Sequence, residues 1–129
     1  MARVETRELL RVTEQLLDEM ELDHQFTASD ICQMHQDWLG EVYPWAGKYR
    51  QVVMSKAGFP FAVPAHIPKL MEEFESTVLR RFTPCGGEVA EVAMALATVH
   101  VELVLIHPFR EGNGRVARLL ATLMALQAG

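Results

Sequence analysis

The chain has 129 residues, half of them hydrophobic, and a formal net charge of −5. That is the length of a single domain with enough apolar material for a buried core, so a disordered chain and a second domain are both excluded. No stretch concentrates Lys and Arg, which argues against a protein that binds through nucleic-acid phosphates but leaves room for a local pocket taking one nucleotide.

The N-terminal stretch is charged and amphipathic and lacks the apolar centre of a signal peptide. Leu9, Leu10, Leu16, Leu17 and Met20 recur at helical spacing and predict a first amphipathic helix. Thr27 and Ser29 are candidate N-caps for a second, with Ile31, Met34, Trp38 and Val42 on its apolar face, ending near Tyr43-Pro44. Residues 49–63 break the helical pattern: β-branched and aromatic residues flank Ser55-Lys56-Ala57-Gly58, a hairpin signal, with Pro60 confining the second arm to an edge. A third helix follows Pro64, carrying Ile67, Leu70, Met71, Phe74 and Val78 on one face. Thr83 to Gly87 reads as a loop.

A fourth helix runs from Glu88 to about Ile106, with Val89, Val92, Ala93, Leu96, Val99 and Leu103 as its expected buried stripe. Its upper half and the later VARLLATLMALQA stretch are apolar on nearly all sides, which predicts two helices at the centre of the domain. No apolar run reaches the length of a membrane span without a charge. Cys32 and Cys85 form no CxxC pair and imply neither a disulfide scaffold nor a metal site. A cytoplasmic protein with no membrane partner is the expectation. His24, His35, His66 and His100 are scattered without ligand spacing and read as ordinary surface or core histidines.

The junction between the two apolar helices, His107 to Arg115, carries the chemistry. Pro108 and the Gly112/Gly114 pair interrupt the helix, and both glycines permit positive φ and close backbone approach. Successive N–H groups where the next helix starts form an anion nest suited to phosphate. Arg115 and Arg118, three apart, lie on one face and can reach phosphate oxygens bidentately. A carboxylate beside phosphates, Glu111, makes sense with Mg²⁺ between them. His107 is the one group here able to take a proton near neutral pH. These features within twelve residues describe a phosphoryl- or nucleotidyl-transfer site.

The segment His107 to Arg118, HPFREGNGRVAR, resembles the Fic-family signature HxFx(D/E)GN(G/K)RxxR at every defined position. Tyr43 to Arg50 resembles the family's lead into its flap, and Val53 to Phe59 resembles the flap hairpin, so the similarity covers about residues 22 to 128. It implies an all-α, compact helical domain over residues 1–129 with a short β-hairpin flap near 49–63. The family usually adds at least one more helix after the motif.

The resemblance further implies a protein adenylyltransferase that moves AMP from ATP onto a Ser, Thr or Tyr hydroxyl of a target protein. His107 would be the general base and Glu111 the Mg²⁺ ligand. Asn113, with the backbone of Gly112 and Gly114, would hold the α- and β-phosphates, Arg115 would neutralise the β-phosphate, and Arg118 would reach the γ-phosphate. Phe109 would anchor the loop on the core. Val53, Met54, Ser55, Lys56, Ala57, Gly58 and Phe59, continuing to Phe61, would dock the target by strand addition.

In the Doc-like branch, which phosphorylates its target, lysine replaces the residue corresponding to Gly114, so glycine here favours AMP transfer over γ-phosphate transfer. UTP or a phosphocholine donor is compatible with the motif. A non-catalytic nucleotide-binding module is the third reading, and the intact set of His107, Glu111, Arg115 and Arg118 speaks against it. The family's inhibitory pattern (S/T)xxxE(G/N) is absent. Its nearest match, Thr98 to Leu103, lacks the final Gly or Asn and lies inside the fourth helix. Inhibition would then come from an antitoxin-like partner or from sequence after Gly129.

Overall fold

The computed structural model describes residues 2–129. Two helices open the chain, α1 (Ala2–Glu19) and α2 (Ala28–Leu39). α2 starts where the sequence says it must. The Thr27 side chain accepts the Asp30 N–H at 3.0 Å and the Asp30 carboxylate accepts the Thr27 N–H at 3.0 Å. This reciprocal capping box is worth about 1 kcal/mol. Ser29 lies within the first turn and is not the cap. α2 ends at Leu39 with Gly40 as its cap, so Val42 falls in the turn that follows, outside the predicted helical face.

The flap is shorter than residues 49–63. β1 (Ser55–Lys56) pairs antiparallel with β2 (Phe59–Pro60), Ser55 opposite Pro60 and Lys56 opposite Phe59. Ala57 (φ 51°) and Gly58 (φ 81°) both take positive φ, the backbone twist that a two-residue hairpin turn requires. One further bond, from the Phe61 N–H to the Met54 carbonyl, extends the pairing. A 3₁₀ turn (Pro64–His66) then leads into α3 (Ile67–Glu73), which passes through a π-helical stretch (Phe74–Leu79) into the short α4 (Arg80–Phe82).

The last two helices are α5 (Val89–Ile106) and α6 (Asn113–Ala128), packed along each other. α6 is the central helix, burying Val116, Ala117, Leu119, Leu120, Leu123 and Met124. α5 differs from expectation. Its buried residues are Ala95, Val99, Leu103 and Ile106, whereas Val89 and Ala93, assigned to the buried stripe, are exposed, Val89 by 85%. A helix apolar on every side offers no contrast from which to read its inward face. By length and composition alone α5 is apolar enough to cross a membrane, with a mean hydropathy of 2.0 and 22% of it buried, although it carries Glu91 and Glu102. α1 shows the same slip: Leu10 and Leu17 are exposed, and Val12 is the residue that enters the core.

Candidate active site

The site begins where α5 ends. His107 caps the helix in the left-handed conformation (φ 52°, ψ 61°), its N–H still bonded to the Leu103 carbonyl at 3.0 Å. A residue with a Cβ holds that backbone only when its surroundings impose it. Here the imposing group is Arg50, whose guanidinium is buried (4% exposed). Its Nε donates to the His107 carbonyl at 2.6 Å and one terminal nitrogen to the Val52 carbonyl at 2.7 Å. The other terminal nitrogen donates to Ala62 at 2.6 Å and to Ile106 at 3.3 Å. The Arg50 N–H also meets the Pro108 carbonyl at 2.8 Å. One side chain therefore ties both arms of the flap to the carbonyl end of α5, where the helix dipole favours a cation.

The His107 ring stacks on Phe61, centroids 3.8 Å apart and planes within 6°. Its Nδ1 is buried without a hydrogen-bond partner among the described residues. Burial pushes the His107 pKa below its ordinary value. The nearby Val104 carbonyl partly opposes this, and the Arg50 and Lys56 cations add to it. The ring is thus neutral near pH 7, the form that can accept a proton.

The loop after His107 is fixed from inside. Phe109 is 1% exposed and stacks on His35 at 3.9 Å. The Asn113 side chain brackets Phe109, accepting its N–H at 2.8 Å and donating to its carbonyl at 2.7 Å. The Asn113 amide is thus engaged within the loop, which leaves the backbone N–H as the group the residue can present to the cavity it lines. His35, expected to be unremarkable, is fully buried behind the motif. Its Nδ1 accepts the Gly47 N–H at 2.8 Å, which leaves Nε2 to donate to the Glu111 carbonyl at 2.9 Å.

Gly112 and Gly114 serve different purposes. Gly112 precedes α6 at φ 85°, and a Cβ there would stand 2.5 Å from Cζ3 of Trp38, so only glycine fits. Gly114 lies in the first turn of α6, and a Cβ would meet nothing within 4 Å. Of the two, Gly112 alone uses the positive φ that glycine permits. The N–H groups of Asn113, Gly114 and Arg115 open α6 with no intrahelical acceptor to reach.

His107, Glu111, Gly112, Asn113, Gly114, Arg115 and Arg118 line one cavity of about 270 Å³, together with Glu5, Trp38 and Leu39. Arg115 lies 3.6 Å from the Glu5 carboxylate and 5.8 Å over the Trp38 ring. Arg118 makes no ion pair among the described residues. Nor do those residues contain a cluster of three or more side chains able to hold a metal, and Glu111 is the motif's carboxylate in the cavity. The flap residues Val53 to Phe59 do not line this cavity; Val53 is 81% and Phe59 51% exposed, so the hairpin presents apolar side chains to solvent beside it. No local pattern in the sequence singles out Arg50, His35 or Glu5. Arg50 ends the segment that resembles the flap lead-in, the one signal that pointed toward it.

A helix N-terminus carrying free N–H groups, with two arginines, a carboxylate and an imidazole around it, has the chemistry to hold phosphate groups and to accept a proton beside them. The family model described as Fic/DOC family matches residues 25–125, and the chain belongs to that family. Among curated relatives it is 34% identical over 104 residues to "Protein adenylyltransferase Fic" of Nematostella vectensis, covering 80% of this chain and 23% of that protein. It is 32% identical over 104 residues to "Protein adenylyltransferase VbhT" of Bartonella schoenbuchensis, covering 81% and 22%. The chain thus spans about a fifth of the length of these relatives. Among solved structures it resembles the BepC protein of Bartonella tribocorum with bound AMPPNP, at a TM-score of 0.80 and 25% identity over 97% of this chain and 66% of that one. It also resembles Fic-1 of C. elegans, at a TM-score of 0.69 and 26% identity over 96% and 35%.

Proposed function

We propose that this chain is the transferase domain of a protein adenylyltransferase, which moves AMP from ATP to a hydroxyl of a target protein and releases pyrophosphate. The observation that carries the reading is that one cavity collects a neutral imidazole, the open N-terminus of α6 and two arginines. The adenylyltransferase names of the relatives and the AMPPNP bound by BepC support it.

The triphosphate would lie along the N–H groups of Asn113, Gly114 and Arg115, with Arg115 and Arg118 drawing negative charge from its outer phosphates. The target hydroxyl attacks the α-phosphorus in line while His107 takes its proton. A new O–P bond forms, the α–β anhydride bond breaks, and the electron pair leaves with pyrophosphate. Little covalent chemistry falls to the protein, so positioning and charge neutralisation supply most of the acceleration. One motif carboxylate beside a phosphate nest fits Mg²⁺, which is commonly held by one or two carboxylates together with substrate phosphates. Glu111 would hold it, and it would supply charge neutralisation on the phosphates. The exposed apolar flap would seat an extended target segment by strand addition.

Gly114 supports AMP transfer over γ-phosphate transfer. The backbone would accept a side chain there, so glycine is not forced by sterics and the space beside the nest stays free for the nucleotide. The absence of an ion-pair partner for Arg118 among the described residues supports inhibition from elsewhere, by an antitoxin-like partner or another segment. Two free cysteines and a need for ATP support a cytoplasmic location. The test is to supply ATP labelled at the α- or the γ-phosphorus, with Mg²⁺ and a bacterial lysate. Measured above lysate without the chain, protein label gained from the α position alone supports the proposal, and label gained from the γ position alone makes the chain a kinase.

A further inference from the structure

Glu5 stands outside the signature and outside residues 25–125, which the family model matches, yet its carboxylate lines the same cavity as the motif. Three contacts fix it there. The Tyr43 hydroxyl donates to Oε1, which helps push the Tyr43 pKa up to about 12. The Trp38 Nε1–H donates to the Glu5 backbone carbonyl at 2.8 Å, pinning this turn of α1 to α2. The second oxygen, Oε2, faces Nη1 of Arg115 at 3.6 Å.

That last distance matters. A charge-assisted hydrogen bond would be about 2.7–2.9 Å, so Arg115 is attracted to Glu5 without giving up its donors. Trp38 supplies the other half of the seat, with the guanidinium over its ring at 5.8 Å, within reach of a cation–π attraction. The Arg115 side chain remains 44% exposed, while that of Glu5 is only 11% exposed. The carboxylate is the fixed member of the pair and the guanidinium the available one.

We infer that Glu5 is a positioning residue for Arg115, holding its guanidinium aimed at the second phosphate of a bound nucleotide. This rests on the reading of the cavity as a nucleotide site and deepens it. An arginine ordered before the ligand arrives loses less side-chain freedom on binding, so the contribution appears in affinity for nucleotides that reach Arg115.

The experiment is isothermal titration of the protein, in Mg²⁺, with ATP, ADP and AMP. Glu5→Gln keeps an acceptor for Tyr43 and the backbone bond to Trp38 while removing the charge. It is expected to weaken ATP and ADP about three- to tenfold and to leave AMP within about twofold. In an Arg115→Gln background the same change is expected to have no further effect, which a merely structural role of Glu5 would not produce. Tyr43→Phe is expected to weaken ATP in the same direction by a smaller factor. Equal loss for all three nucleotides, or unchanged ATP affinity in Glu5→Gln with a normal unfolding temperature, overturns the inference. Tighter ATP binding in Glu5→Gln also overturns it, since the carboxylate would then be a competitor for Arg115. Wild-type protein that binds no nucleotide removes the site reading itself, an outcome distinct from these.

Discussion

Replacing Arg50 by methionine, of similar length and without charge, tests the clamp at the base of the flap. Four carbonyls, those of Val52, Ala62, Ile106 and His107, would lose their donor, the Ile106 bond buried and the other three part-buried. At about 1–3 kcal/mol for each group left unsatisfied, the gross loss is about 4–12 kcal/mol. Relief from burying a guanidinium returns several of these, because its charge is desolvated and no carboxylate pairs with it among the described residues. The expected net destabilisation is about 3–5 kcal/mol, the range for breaking a buried charged network from one side. For a domain of this size that lowers Tm by about 10–20 °C. Arg50→Lys keeps the charge but cannot fork to four acceptors and should lose roughly half as much. Urea unfolding gives the total, and hydrogen exchange at the flap gives its location. A methionine variant within about 1 kcal/mol of wild type, with flap protection unchanged, would refute the assignment of these four bonds as the clamp.

Burial holds His35 neutral, with the Glu111 carbonyl bond partly opposing the downward shift of its pKa. Its contribution to stability is therefore full above the ordinary histidine value of 6.5 and is lost as pH falls from there through the depressed folded value. Urea midpoints measured from pH 8 to 5 should fall on the acid side, and His35→Gln, less stable at pH 8, should show a shallower fall. Gly112→Ala should cost about 2–4 kcal/mol, from the clash with Trp38 and the positive φ together. Gly114→Lys should stay within about 1 kcal/mol of wild type, because its site is open and helical. Comparing urea midpoints of the two variants checks both. Because His107 acts in its neutral form, the acid limb of the transfer rate should lie below pH 6.5. Lys56→Gln removes a nearby cation and should move that limb to higher pH at low salt, an effect that added salt diminishes in wild type.

The parts of the site legible in the sequence are those contiguous in it. Residues 107–118 meet around one cavity because a single helix–loop–helix junction holds them, and local spacing carries that information. Thr27 was legible for the same reason, since a cap acts three residues away. What the sequence did not reveal was brought in from a distance. His35 reaches the Glu111 carbonyl across 76 positions and Arg50 the His107 carbonyl across 57. No periodicity encodes such contacts. The inward face of α5 was unreadable for another reason, since apolar residues surround the helix and only its packing on α6 decides which of them are buried. Gly112 and Gly114 look alike as letters, and the nearness of Trp38 alone separates them.

In the proposed reaction His107 serves as the base for AMP transfer from this cavity. Its most direct test is intact-mass measurement of protein and lysate targets after incubation with ATP and Mg²⁺, wild type beside His107→Ala. Wild type is expected to add AMP to a target, and the variant to do so about 10²–10⁴-fold more slowly while ATP affinity is retained. An added phosphate in place of AMP, or AMP addition at an equal rate in both proteins, would contradict the proposal.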